Sequence, residues 1–184
     1  MKEIIKRNTI QFFKEMIPVI AGILIALFID NWNSDRKDKN YINQVFTTVN
    51  NELKDSKEDI KTTIAQQKSL IDSLNYYSNN KNFTLSEIIL KSNGIKIPQI
   101  KTTAWKSVSN SKIDLIDYEK ITILSTIDEQ KEAINNKSQF LMTYIYSNAN
   151  ETDKNKKETL KLILMDIIQT EKTTQQFIEL FEKK

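Results

Sequence analysis

Met16 to Ile29, MIPVIAGILIALFI, is an unbroken apolar run of fourteen residues, and no other feature constrains the chain as strongly. Alone it falls short of the roughly 20 residues that a helix needs to cross about 30 Å of hydrocarbon. Its flanks extend it. Ile10, Phe12 and Phe13 continue the apolar surface upstream, Lys14 can snorkel, and Trp32 offers a ring suited to the bilayer interface. From Ile10 to Trp32 this makes about 23 residues, or roughly 34 Å at 1.5 Å each. A cleaved leader needs small residues at an A-x-A-like site, whereas this run is followed by Asp30-Asn31-Trp32-Asn33. The expectation is an uncleaved transmembrane helix over 16–32, embedded in lipid, with a basic lead-in over 1–15 and one domain over 33–184. Lys14, Asn31, Trp32 and Asn33 mark where the helix enters and leaves the bilayer.

The rest of the chain reads as all-α. Two Gly and two Pro in 184 residues leave little turn chemistry for a sheet. After Trp32 the next Gly is Gly94, and Ile42, Phe46, Val49, Leu53, Ile60, Leu70 and Leu74 recur at 4-3 spacing, with Ser56, Thr63 and Gln67 filling the seam between them. A seam with polar members fits a helix packed within its own bundle better than a long free coiled coil. The first long helix should continue over 33–76 and end in the Asn-rich Tyr77–Asn82 stretch. Thr84-Leu85-Ser86-Glu87 has capping-box spacing and should open a short helix over 85–91, stopped by Asn93-Gly94. Pro98 makes 95–100 an extended connection. A second short helix over 103–109 carries Trp105. Asp117 caps a long helix over 118–146, with Leu124, Ile127, Ile134, Leu141 and Ile145 on one face, and the last helix, over 154–182, buries Leu160, Leu164, Ile167, Phe177 and Phe181. These elements predict one transmembrane helix continuing into an antiparallel bundle of three long helices in up-down-up order, with the 84–116 segment folded against it.

Charge and composition exclude several functions. Residues 1–29 hold four Lys or Arg and two Glu, which leaves about +1 of the formal +3 on everything that follows. Only Arg7 and Arg36 are arginines among 27 basic residues, so the domain offers no basic face for nucleic acid. Zero His and zero Cys remove imidazole general bases, thiolate nucleophiles, HExxH zinc sites and the Glu-x-x-His di-iron pattern of helical bundles. Two Gly, at 22 and 94, cannot build a phosphate loop. Three Ser-x-x-Lys spacings, at Ser34, Ser78 and Ser109, are about what chance gives with 13 Ser and 25 Lys. Glu52, Asp55, Glu58 and Asp59 interleave with Lys54, Lys57 and Lys61, which reads as a solvated face with i, i+4 pairing. No catalytic residue, cofactor or metal ligand is expected.

Two motifs carry a resemblance. The first is Ala26-Leu27-Phe28-Ile29-Asp30-Asn31-Trp32-Asn33-Ser34-Asp35-Arg36-Lys37, an apolar segment ending in Asn-Trp-Asn and basic residues. The second is Thr103-Ala104-Trp105-Lys106-Ser107-Val108 followed by Asn110-Ser111-Lys112-Ile113-Asp114-Leu115-Ile116. Together they resemble an uncharacterised family of bacterial single-span membrane proteins with a helical domain and an internal Trp motif. Such proteins usually place a Gly after that Trp. Here Asn110 or Ser111 stands in its place, and Asn can take the left-handed conformation a Gly would supply. The resemblance implies a bacterial inner-membrane location and brings no activity with it.

Two readings of function follow. The first is a non-enzymatic membrane-anchored protein that works by assembly, as a homo-oligomer or with another envelope protein. The alternative is an oligomeric pore-type or membrane-perturbing effector, although a pore of single spans needs a polar stripe and only Glu15 and Asp30, near the ends, offer one. Four basic residues on the short N-terminal tail favour that tail in the cytoplasm and the domain in the periplasm. Pro18, Gly22, Ala26 and Asp30 are spaced by four and share one helix face. Gly22-x-x-x-Ala26 within it is a small-xxx-small pair suited to close helix packing.

Overall fold

The computed structural model describes the backbone from Lys2 to Lys184 and the side chains from Lys14 onward. The interfacial packing expected of Ile4, Ile5, Phe12 and Phe13 lies outside the described residues. The elements are helices throughout: α1 (Lys2–Tyr76), α2 (Leu85–Lys91), α3 (Thr103–Ser109), α4 (Tyr118–Asn148) and α5 (Lys154–Glu182), with a 3-10 turn at Ile113–Leu115. Local chemistry sets most of their ends. Thr84 accepts from the Glu87 amide while the Glu87 carboxylate accepts from the Thr84 amide at 2.8 Å, a complete capping box that also holds the Glu87 carboxyl below its ordinary range. Asp117 and Asp153 cap α4 and α5, each accepting from two amides of the first turn. Asn93 and Gly94, with φ of 63° and 82°, turn the chain out of α2 through the left-handed region. The left-handed conformation that a Gly would supply after Trp105 is not adopted. Asn110 is right-handed, with φ −86° and ψ −10°, and the chain passes through the 3-10 turn instead.

The chain divides into two compact units, Met1–Gln44 and Val45–Lys184. The first is helix alone. Pro18 lies well inside it and not at its head, so the Lys14 carbonyl has no N–H four residues on to accept from.

The second unit is the bundle. Its helices run in an order that differs from simple up-down-up. Phe46 of α1 stacks on Phe181 near the end of α5 at 6.2 Å, and the Lys120 ammonium of α4 lies 5.0 Å from the same Phe46 ring. At the other end Lys157 of α5 bonds the Tyr77 carbonyl, and the Tyr144 hydroxyl of α4 donates to the Lys156 carbonyl at 2.9 Å. So α5 is antiparallel to both α1 and α4, while α1 and α4 run parallel. The return crossing between those two is made by an extended strap, 95–102, laid along α1. Lys96 sits beside Gln67 and Ala104 beside Glu52. Eight residues of extended chain reach about 26 Å and fifteen residues of helix about 22 Å, which matches the two ends.

The core follows the seams. Val49, Leu53, Ile60, Leu70 and Leu74 of α1 are buried, as are Leu124, Ile127, Ile134, Leu141 and Ile145 of α4. On α5 the buried residues Lys157, Leu160, Leu164, Ile167, Glu171, Thr174, Ile178 and Phe181 follow 3-4 spacing, and Ile168 and Thr170 are buried beside that seam. Phe177, expected inside, is only half-buried because it falls off that register, and Ile178 takes its place.

Candidate membrane anchor and polar seam

The first candidate site is the helix surface from Met16 to Ile29. Ten large apolar side chains are exposed there, among them Leu24 at 60% and Phe28 at 72%, and they cover every side of the helix. Covering a large apolar side chain fully is worth about 1.5–3 kcal/mol. Half-exposed, ten of them leave on the order of 10 kcal/mol unrealised in water. This is the one described helix long and apolar enough to cross a membrane, and none of its apolar window is buried by the rest of the chain. The four positions Pro18, Gly22, Ala26 and Asp30 all lie on its exposed surface. A Cβ at Gly22 would meet no atom within 4 Å. At the boundary Lys14, Asn31 and Trp32 are exposed and Asn33 is half-buried. The Arg36 guanidinium sits 5.7 Å from the Trp32 ring, one turn on, placing an aromatic and a cation side by side where apolar residues stop.

The second is the polar seam of α1, where buried polar residues grip the strap. Ser56, Thr63 and Gln67 are 4% exposed or less. The Lys101 amide donates to Ser56 Oγ at 2.9 Å, the Gln99 amide to Asp59 Oδ2 at 2.6 Å and the Ala104 amide to Glu52 Oε2 at 3.1 Å. Lys101 Nζ pairs with Asp55 at 2.8 Å, and that ion pair lowers the Asp55 carboxyl from its ordinary range. The acidic cluster faces solvent, as expected, but its bonded partners are distant in sequence and not at i, i+4. Asp55 and Asp59 hold the strap and Glu52 the first turn of α3, while Lys57 reaches α5 to pair with Glu182. Between α1 and the strap lies a polar groove of about 560 Å³ lined by Asp55, Asp59, Thr63, Lys96 and Lys101 among others. On the α4 side, Thr102 is 3% exposed, donates to Asp128 at 2.8 Å and accepts from Lys131 Nζ at 3.0 Å.

Two buried ionisable groups escaped the sequence reading, and both lie on the α5 seam. Lys157 is 1% exposed and donates to the carbonyls of Tyr77 and Asn80 at 2.9 and 2.7 Å, tying α5 to the chain just past the end of α1. Burial lowers its pKa from the ordinary lysine value. Glu171 is fully buried and accepts from Gln67 Nε2 at 2.8 Å. Burial is the main cause of its carboxyl being pushed up to about 7. The signal for both was the register itself: counting back and forward by three and four from Leu160, Leu164 and Ile167 lands on Lys157 and Glu171. Trp105 is buried on α3 together with Val108. Among the described residues no three His, Cys, Asp or Glu come together in a way that could hold a metal ion.

What these features define is an all-helical bundle preceded by a helix able to cross a bilayer. No protein-family model matches the chain, and neither a curated protein nor a solved structure matches it.

Proposed function

We propose that the protein is a single-pass membrane-anchored helical protein of the bacterial inner membrane that works by assembly and not by catalysis. One observation carries the reading. Ten exposed large apolar side chains surround the helix between Met16 and Ile29, an area whose transfer from water outweighs the net stability of many whole domains. Lipid is the solvent that suits it. The same all-round apolar surface weighs against the pore-type alternative, since a conduit lined by it would have polar groups only near its ends. In the bundle Asp55 and Asp59 are engaged with the strap, Glu52 with the start of α3 and Asp128 with Thr102, which supports a structural use of these carboxylates over general acid or base work.

Membranes from cells expressing the full chain, washed in alkaline carbonate, test the anchor. The protein should stay with the lipid at full length. A soluble species beginning near Asp30 would overturn the reading. A C-terminal tag gives the topology in the same cells. It should be digested once the outer membrane is opened, and digestion only after inner-membrane lysis would reverse the orientation.

A further inference from the structure

The interior contact between α1 and α5 contains two oxygens that the rest of the bundle leaves without a donor. Gln67 Nε2 has two hydrogens, and both are used: one goes to the Lys96 carbonyl of the strap at 3.0 Å, the other to Glu171 Oε1 at 2.8 Å. Gln67 Oε1 and Glu171 Oε2 are buried and have no hydrogen-bond partner. In a dry interior each orphan acceptor is costly, and an ionised carboxylate oxygen without a donor is costlier still. Among the described residues no cation is paired with Glu171. Asp59 of α1 adds a like charge. Lys137 of α4 reaches α5 next to Glu171, but its ammonium is spent on Asp166 at 2.7 Å and on the Thr170 hydroxyl at 2.8 Å. On the strap, Lys101 is paired with Asp55 and the exposed Lys96 side chain lines the groove.

One proton resolves both orphans. We propose that Glu171 is held as a neutral carboxylic acid whose proton bridges to Gln67 Oε1, and that this acid–amide pair is a proton-operated latch that closes the 95–102 strap over α1. Gln67 is the hinge of the device, because a single amide group serves the acid on one side and the strap carbonyl on the other. Loss of the proton leaves a buried negative charge facing the Gln67 amide oxygen and sharing its surroundings with Asp59. The bundle relieves that charge by admitting water from the groove side, and the strap opens there.

The sign is set by linkage. The folded-state carboxyl sits at about 7, above its ordinary 4.5. Strap closure is strongest below the ordinary carboxyl value and weakens as pH rises toward the folded value, levelling off beyond it. Amide hydrogen exchange of the full chain in detergent micelles reads this directly at Gln99 and Lys101, whose amides are held by Asp59 and Ser56. Their protection factors should fall about tenfold per pH unit between about pH 5 and pH 7 and then flatten, as expected when one proton is lost on opening. Glu171→Gln supplies a permanent N–H in place of the proton, and in this variant the protection factors should not change with pH. Protection that stays flat in the parent, or falls as steeply in Glu171→Gln, overturns the latch. Carbon-13 observation of the Glu171 carboxyl in the parent decides the proton whether or not the variant folds. A titration midpoint near 7 supports it, and one near 4.5 overturns it.

Discussion

Between Met16 and Ile29 the first helix exposes ten large apolar side chains, and between Val49 and Leu74 the same helix buries six. The polar residues are inverted as well. Ser56, Thr63 and Gln67 are inside in the second stretch, whereas Asp30 and Asn31 lie open at the end of the first. Helical geometry is common to both, so what differs is the medium each face was built to meet. In the bundle the chain supplies its own cover, and two of the polar seam positions find partners there, Ser56 in the Lys101 amide and the Gln67 Nε2 group in the Lys96 carbonyl and Glu171. Along 16–29 no part of the described chain supplies cover, and a bilayer, as proposed above, is a medium that would. A buried polar group in the second stretch and an exposed Leu in the first express one rule, that every group is placed where a partner for it exists.

The largest test of that contrast places charge on the first stretch. Ile23→Lys combined with Leu24→Lys should cost about 5–7 kcal/mol of membrane insertion, at about 2.5–3.5 kcal/mol per Lys near a span's centre. The protein should leave the membrane fraction in alkaline carbonate while keeping the helical circular dichroism of the bundle. Persistence in the membrane would show that this surface does not meet lipid. A smaller effect separates the halves by stability. Ile60 is fully buried and Ile23 is 56% exposed. Ile60→Ala should lower the bundle's unfolding free energy by about 2–5 kcal/mol, the ordinary cost of a core cavity. Ile23→Ala should leave it within about 0.5 kcal/mol. Urea unfolding in micelles, followed through buried Trp105 in a Trp32→Phe background, measures both. Equal effects from the two would mean that the stretches share one packing environment.

Much of this was legible in the sequence because apolar spacing reports directly on helical faces. The limits of α2, α3 and α5 fall at the residues expected, α1 ends at Tyr76 as read, and α4 runs two residues past Tyr146, to Asn148. The polar members of the α1 seam could be seen because apolar residues bracket them at fixed intervals. On α5 the same argument went astray at Phe177. Weighing only apolar residues favours a Phe one position off register and passes over Glu171 and Lys157, whose positions, not their chemistry, give them away. The direction of α4 and the strap's grip could not be read at all. The bonds that set them join residues 29 to 52 apart, such as Gln67 to Lys96 and Ala104 to Glu52, and local pattern carries no record of such pairing. The left-handed conformation open to Asn110 is not used for a related reason. Asn permits that conformation without requiring it, and the 3-10 turn that follows closes the same connection.

The smallest expected effect concerns how the exposed stretch is covered. Lipid alone would not distinguish one face from another, whereas a second copy of the helix would use the side where backbones can come closest. Gly22 and Ala26 are that side, and residues four apart stay aligned along it from Pro18 to Asp30. Gly22→Ile is a suitable probe because a Cβ added there meets nothing within 4 Å and Gly22 has no positive φ that a side chain would strain. Its effect is therefore read in association between molecules. It should weaken association in the bilayer by about 1–2 kcal/mol, the scale of contacts between membrane helices, which is a loss of roughly five- to thirty-fold in the association constant. The control is Ile25→Leu, on another face of the helix, which keeps bulk constant and should change nothing. Cross-linking in native membranes, titrated against protein density, reads the difference. Only monomer in the parent, or an unchanged oligomer in Gly22→Ile, would mean that lipid covers this face as it covers the others.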